Sequence, residues 1–117
     1  MAKKIIVVDD EGDIRETVKA ILEKEGYQVT LAVSGDDCLK KLAKEKPDLI
    51  LMDIMMPGTP TNQVIKKITK TKIAFLSVVK TSDAEREELL KQSNIVDFIQ
   101  KPFEIDDLIA RVKKILG

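Results

Sequence analysis

The feature that most constrains this chain is a set of short apolar runs that stop at charged residues. Ile5-Ile6-Val7-Val8 ends at Asp9, Leu49-Ile50-Leu51-Met52 ends at Asp53, and the run Ile73–Val79 ends at Lys80. Each is too short for an ordinary helix and has no strict alternation of polar and apolar positions. Strands covered on both faces, as in a parallel sheet, read this way. Two further strands are expected. Tyr27, Val29, Leu31 and Val33 alternate with Gln28, Thr30 and Ala32, the pattern of an edge strand, and Val96–Gln100 is short and β-prone.

Helical patterns lie between the runs. Ile14, Val18, Ile21 and Leu22 share one face, and Gly26 supplies a stop. Ser34 with Asp37 resembles an N-cap pair ahead of Cys38, Leu39 and Leu42. Val64, Ile65 and Ile68 form a short third stripe. Ser82-Asp83-Ala84-Glu85 is a capping box opening a fourth helix with a thin apolar face of Ala84, Leu89 and Leu90. Ile105, Leu108, Ile109, Val112, Ile115 and Leu116 make a strong final helix. Strand and helix therefore alternate five times. With right-handed crossovers this gives an α/β fold: an open, doubly wound, five-stranded parallel sheet with helices on both faces. A chain of 117 residues is too short for an eight-fold barrel and fits one domain spanning 1–117.

Composition narrows the chemistry. Histidine is absent, so there is no Ser-His or Cys-His nucleophile pair and no imidazole ligand or base. The single cysteine, Cys38, excludes an intrachain disulfide or a Cys-cluster zinc site and reads as a reduced, half-buried small hydrophobe. Lys+Arg and Asp+Glu are both 20, and aromatics are 3%. Neither fits a non-specific polyanion binder or a base-stacking surface, so no nucleic-acid partner is expected. No apolar run exceeds four residues, so no membrane span is expected. Ala2 in place of Gly excludes N-myristoylation, and no prenylation Cys ends the chain. A cytoplasmic location is the expectation, with no attached output domain.

In open α/β sheets, ligands bind at the carboxyl ends of strands. That rule selects Asp9, Asp10 and Glu11 after the first strand, Asp53 after the third, Ser77 in the fourth, and Lys101-Pro102 after the fifth. Singly, each has an ordinary explanation. An Asp after a strand is usually a cap or turn residue, as Asp13 is read to be. A lone lysine is usually solvated, and a lone serine in a strand usually bonds a carbonyl. Jointly they are harder to dismiss. Clustered carboxylates repel and need a cation. An oxygen-rich, imidazole-free set suits Mg2+ or Mn2+. A metal-bound carboxylate beside a lysine and a hydroxyl suits phosphoryl transfer, and an aspartate needs no base to act as nucleophile.

Three segments, in order and at strand ends, closely resemble the receiver domain of two-component response regulators across essentially the whole chain. They are Ile5-Ile6-Val7-Val8-Asp9-Asp10-Glu11, Pro47-Asp48-Leu49-Ile50-Leu51-Met52-Asp53-Ile54-Met55-Met56-Pro57-Gly58, and Asp97-Phe98-Ile99-Gln100-Lys101-Pro102-Phe103. The resemblance implies a flavodoxin-like sheet of order 2-1-3-4-5. It implies Asp53 as phosphoacceptor, and Asp10, Asp53 and the Met55 backbone carbonyl as Mg2+ ligands, with Asp9 acting mainly through metal-bound water. Ser77 is implied as the switch hydroxyl, Lys101 as the phosphate-binding lysine ahead of a cis peptide, and Phe98 as a rotamer switch. The implied donor is a phosphohistidine on a sensor histidine kinase or histidine phosphotransfer protein. A chain without histidine can receive that group but cannot be such a donor.

The chain departs from the family pattern in three places. Gly58-Thr59-Pro60-Thr61 replaces the usual approach to the third helix, and the span from Asp53 to Ser77 is short, so a stunted third helix is expected. Pro60 suits a first helical turn. Val78 stands where a small residue usually follows the switch hydroxyl, and Thr81 is an alternative hydroxyl to Ser77. Asn94-Ile95 replaces a common Gly-Ala pair. Met55 and Val79 offer nothing to orient water, so the chain is expected to catalyse its own phosphorylation and only slow autodephosphorylation. Output is expected through the fourth helix, fifth strand and fifth helix toward a downstream protein, with Phe98 either switching or fixed in the core. The alternatives are a receiver trimmed from a hybrid kinase or transcription factor, an unphosphorylated pseudo-receiver scaffold, and a flavodoxin-like nucleotide or flavin binder. The phosphate loop needed by the last is absent.

Overall fold

A computed structural model describes residues 2–54, 61–77 and 83–116. Strands β1 (Lys4–Val8), β2 (Gln28–Ala32), β3 (Leu49–Asp53), β4 (Lys72–Ser77) and β5 (Ile95–Gln100) alternate with helices α1 (Gly12–Lys24), α2 (Gly35–Glu45), α3 (Thr61–Lys66), α4 (Asp83–Leu90) and α5 (Ile105–Leu116). The strands form one parallel sheet in the order β2-β1-β3-β4-β5. The apolar runs are thus the strands, and the doubly wound sheet read from them is the fold.

Each strand divides its side chains between two cores, as a two-residue period requires. Ile6, Val8, Ile50, Met52, Ile73 and Phe75 face α2, α3 and α4. Ile5, Val7, Leu49, Leu51, Ala74 and Leu76 face α1 and α5, meeting Val18, Leu22, Leu108 and Val112. All five residues of β3 are buried, which is why that run carries no polar alternation before Asp53. Fully burying one such side chain contributes about 1.5–3 kcal/mol.

The helix ends are set locally. At α2 the Ser34 side chain accepts from the Asp37 N–H at 3.1 Å, while Asp37 Oδ2 accepts from the Val33 N–H at 3.0 Å. Gly26, at φ +94, turns the chain out of α1 in the left-handed region that a Cβ disfavours. At β5 the register shifts opposite Ile73/Ala74, leaving Val96 as an extra residue between Ile95 and Asp97.

Three smaller expectations are corrected. Asp13 does not cap α1: Glu11 occupies the N-cap and Asp13 lies in the first turn, where its charge meets the helix dipole instead. Cys38 is fully rather than half buried, because α2 turns it into the α2/α3 core. The fifth strand starts at Ile95 rather than Val96. The stunted third helix is present, six residues long. Met55, Gly58, Pro60, Val78, Val79, Thr81 and Ser82 lie outside the described residues.

Candidate functional site

The carboxyl edge of the sheet gathers the residues selected by the strand-end rule. Asp9 follows β1 directly, and its N–H extends the ladder by one bond to the Ala32 carbonyl at 3.2 Å. Asp53 is the last residue of β3 and pairs in register with Leu76. Ser77 is the last residue of β4, opposite Gln100, and Lys101 follows at once. Four strands therefore end on one line, which brings together residues as far apart in sequence as 9 and 101.

The carboxylate oxygens of Asp9, Asp10 and Asp53 come within 4.8 Å of one another. Asp9 is fully buried, Asp53 is 6% exposed, and Asp10 is open to solvent. Lys101, 7% exposed, sets Nζ 2.5 Å from Asp9 Oδ2 and 3.6 Å from Asp53 Oδ2. The other Asp9 oxygen accepts from the Glu11 N–H at 2.9 Å, and Arg15 Nη1 donates to the Asp9 carbonyl at 2.8 Å. Asp9 is thus fixed from three sides, as a buried charge must be to offset its desolvation. The Lys101-Pro102 peptide is cis.

Three carboxylates and one ammonium leave a formal excess of two negative charges at the edge. An all-oxygen donor set with that excess fits a hard divalent cation. Its opening is lined by the exposed Asp10, so a ligand that carries phosphoryl oxygens can approach from solvent. The arrangement brings three carboxylates and one lysine ammonium together, groups of the kind phosphoryl transfer uses.

A profile of the response regulator receiver domain matches residues 5–113. The chain belongs to the response regulator receiver family. Solved receivers align over almost the whole chain. The Thermotoga maritima response regulator protein TrrA, solved in complex with Mg2+-BeF, is 36% identical, with a TM-score of 0.81, covering 97% of this chain and 98% of that one. Vibrio cholerae chemotaxis protein CheY4 is 27% identical, with a TM-score of 0.89 and coverage of 98% and 99%. The BeF3-activated N-terminal receiver domain of Klebsiella pneumoniae RstA is 29% identical, with a TM-score of 0.87 and coverage of 97% and 98%. No helix among the described residues is long and apolar enough to cross a membrane.

Of the residues assigned by resemblance, Asp9, Asp10, Asp53 and Lys101 converge. Ser77 ends its strand on the same edge, while Met55 and the alternative hydroxyl Thr81 lie outside the described residues. Phe98 stands apart from the carboxylates. It is half-buried on the α2/α3/α4 face, its ring centroid 5.5 Å from that of Phe75. Two features were missed in the sequence. Arg15 braces the Asp9 backbone from α1, and Arg111 on α5 holds Asp97 with contacts at 2.9 and 3.0 Å. Arg15 follows Glu11 by one helical turn, a spacing that marks it as facing the strand end.

Proposed function

We propose that the chain is a phosphoacceptor receiver of a two-component phosphorelay, taking a phosphoryl group on Asp53 from a histidine kinase or histidine phosphotransfer protein. One observation carries the reading: the carboxylates of Asp9, Asp10 and Asp53 within 4.8 Å, with the Lys101 ammonium beside Asp9 and Asp53. An Asp53 oxygen attacks phosphorus. The P–O bond forms as the donor's P–N bond breaks, and the electron pair leaves on the imidazole nitrogen, which takes a proton. Asp10 and Asp53, with Asp9 in support, would hold Mg2+ or Mn2+; the Met55 carbonyl implied by the resemblance lies outside the described residues. That cation, when bound, neutralises charge building on the phosphoryl oxygens. Lys101 turns its ammonium from the carboxylates to a phosphoryl oxygen, and Ser77 donates a hydroxyl to another. Autodephosphorylation is slow. The work is confined to the chain's own phosphorylation and its decay, with no other turnover.

The reading places output on α4, β5 and α5. Among the described residues four large apolar side chains are strongly exposed, and Leu90 (49%), Val96 (38%) and Ile105 (56%) fall on or beside these three elements. Such a surface suits a protein target.

Incubation with acetyl phosphate and Mg2+, followed by intact mass measurement, tests the assignment. A single phosphoryl adduct is expected, lost in Asp53→Asn and on chelation of Mg2+. A wild-type mass that never shifts, or an adduct retained in Asp53→Asn, overturns it.

A further inference from the structure

The opposite end of the sheet is built in the reverse sign. Between Asp53 and Asp83 the sequence contains no acidic residue but holds Lys66, Lys67, Lys70, Lys72 and Lys80. The fold brings part of this stretch, the segment after α3, against the end of α2. Between them lies a groove of about 310 Å³, lined by Leu42, Lys46, Pro47, Lys67, Ile68 and Lys70, with two threonine side chains. Lys46, Lys67 and Lys70 are exposed and join no ion pair among the described residues. Of the carboxylates nearest in sequence, Asp48 shares a neighbouring depression with Lys46, where its Oδ2 accepts from the Lys4 N–H at 2.8 Å, and Glu45 lines a separate depression beside Tyr27; neither lines this groove. Lys46 also sits in the left-handed region at φ 47, a position where glycine is cheaper.

We propose that this groove is a second docking surface, which takes an acidic protein segment carrying an apolar residue between carboxylates. Half-buried Leu42 offers apolar contact, with Pro47 and Ile68 closing the floor, and the three ammonium groups stand at the rim. Lysines supply strongly hydrated point charges on flexible stems, suited to carboxylates without fixed geometry. Neither aromatic rings nor arginine forks line the groove, so base stacking and bidentate phosphate recognition are both unserved. A lipid surface wants a protruding apolar face, and here the apolar atoms lie in a recess. The groove precedes β3 and β4, whereas Asp53 ends β3, so the two sites are separated by about 16 Å of strand. An acidic segment can thus be held while the carboxyl edge exchanges its phosphoryl group.

The test is a titration of the whole 15N-labelled chain with a short synthetic peptide bearing two glutamates on each side of one leucine. Amide shifts are expected at Lys46 and across 67–71 and not at Asp9 or Asp53. Replacing the peptide's leucine by serine weakens binding, and the combined variant Lys46→Glu, Lys67→Glu, Lys70→Glu weakens it at least about tenfold. That variant still takes one phosphoryl group from acetyl phosphate, which shows that it folds and separates this proposal from the assignment of Asp53. No shifts in the groove, undiminished binding by the triple variant, or tighter binding of duplex DNA or anionic phospholipid vesicles overturns the proposal.

Discussion

Lys101 and Asp9 form the most deeply buried ion pair among the described residues, with side-chain exposures of 6% and 1%. Removing one partner of such a pair leaves a charge in a medium that solvates it poorly. Lys101→Met is therefore expected to lower stability by about 3–5 kcal/mol in the presence of a chelator. Mg2+ restores part of the loss, because it binds the folded carboxylates and supplies the missing positive charge. Urea unfolding with and without Mg2+ measures both effects, and an equal Mg2+ increment in wild type and variant contradicts the account. A second residue-scale constraint lies at Gly35, where a methyl group would stand 2.6 Å from Val64 Cγ2. Gly35→Ala is expected to cost about 1–3 kcal/mol, with much of the cost relieved in Gly35→Ala/Val64→Ala. Denaturant midpoints of the single and double variants decide it. The sequence made the carboxylates visible, because each stands directly behind an apolar run. It gave no sign of the Gly35–Val64 approach, since α2 and α3 meet only through the fold.

The stunted helix α3 is held by side chains from the loop between α4 and β5. Gln92 Nε2 donates to the carbonyls of Ile65 at 2.6 Å and Ile68 at 3.0 Å, and Asn94 Nδ2 donates to those of Ile68 at 2.6 Å and Thr71 at 2.7 Å. These carbonyls end or follow a short helix; Ile65 also accepts from the Ile68 N–H at 3.0 Å, and the amides add donors that a longer helix would otherwise supply. Asn94→Ala is expected to destabilise the chain by about 1–2 kcal/mol, moderated because the buried Asn94 Oδ1 has no partner to lose. Thermal unfolding of this variant beside Gln92→Ala checks the figure. At α2, the Val33 N–H, followed by Lys41, holds the Asp37 carboxyl below the usual carboxylate range. A depressed folded-state pKa makes this contribution full above the unfolded value and lost as pH falls through the folded one. Asp37→Asn is therefore expected to lower stability across neutral and alkaline pH and to flatten the acid limb, the two proteins converging at the lowest pH. Urea midpoints across acid pH measure it. Helix and strand positions were readable from apolar spacing and caps. The Gln92–Asn94 clamp was not, because polar amides in a loop leave no periodic trace.

All five helices run the same way relative to the sheet, so their first turns gather near the carboxyl edge and their last turns at the opposite end. Asp13, Asp36, Asp37, Asp106 and Asp107 occupy first turns, and Lys24, Lys44, Lys66, Lys113 and Lys114 occupy last turns. Each charge suits its own helix dipole, yet together they give a molecule of zero net charge an acidic end and a basic end. A residue count could not show this, because polarity emerges only when the helices are aligned. Cys38 reports on the whole structure. Burial pushes its thiol up to about 12, so the native protein is expected to resist alkylation. Iodoacetamide labelling should accelerate with urea in step with global unfolding, and rapid labelling in native buffer contradicts that. The strand order also sets a timetable. β1 is made first, but its partners are residues 28–32 and 49–52, and β5 follows only at 95–100. Once β1 and β3 zip together on the nascent chain, Asp9, Asp10 and Asp53 face one another before Lys101 has been synthesised. Until residue 101 is made, three carboxylates therefore meet without the ammonium that offsets them in the finished sheet.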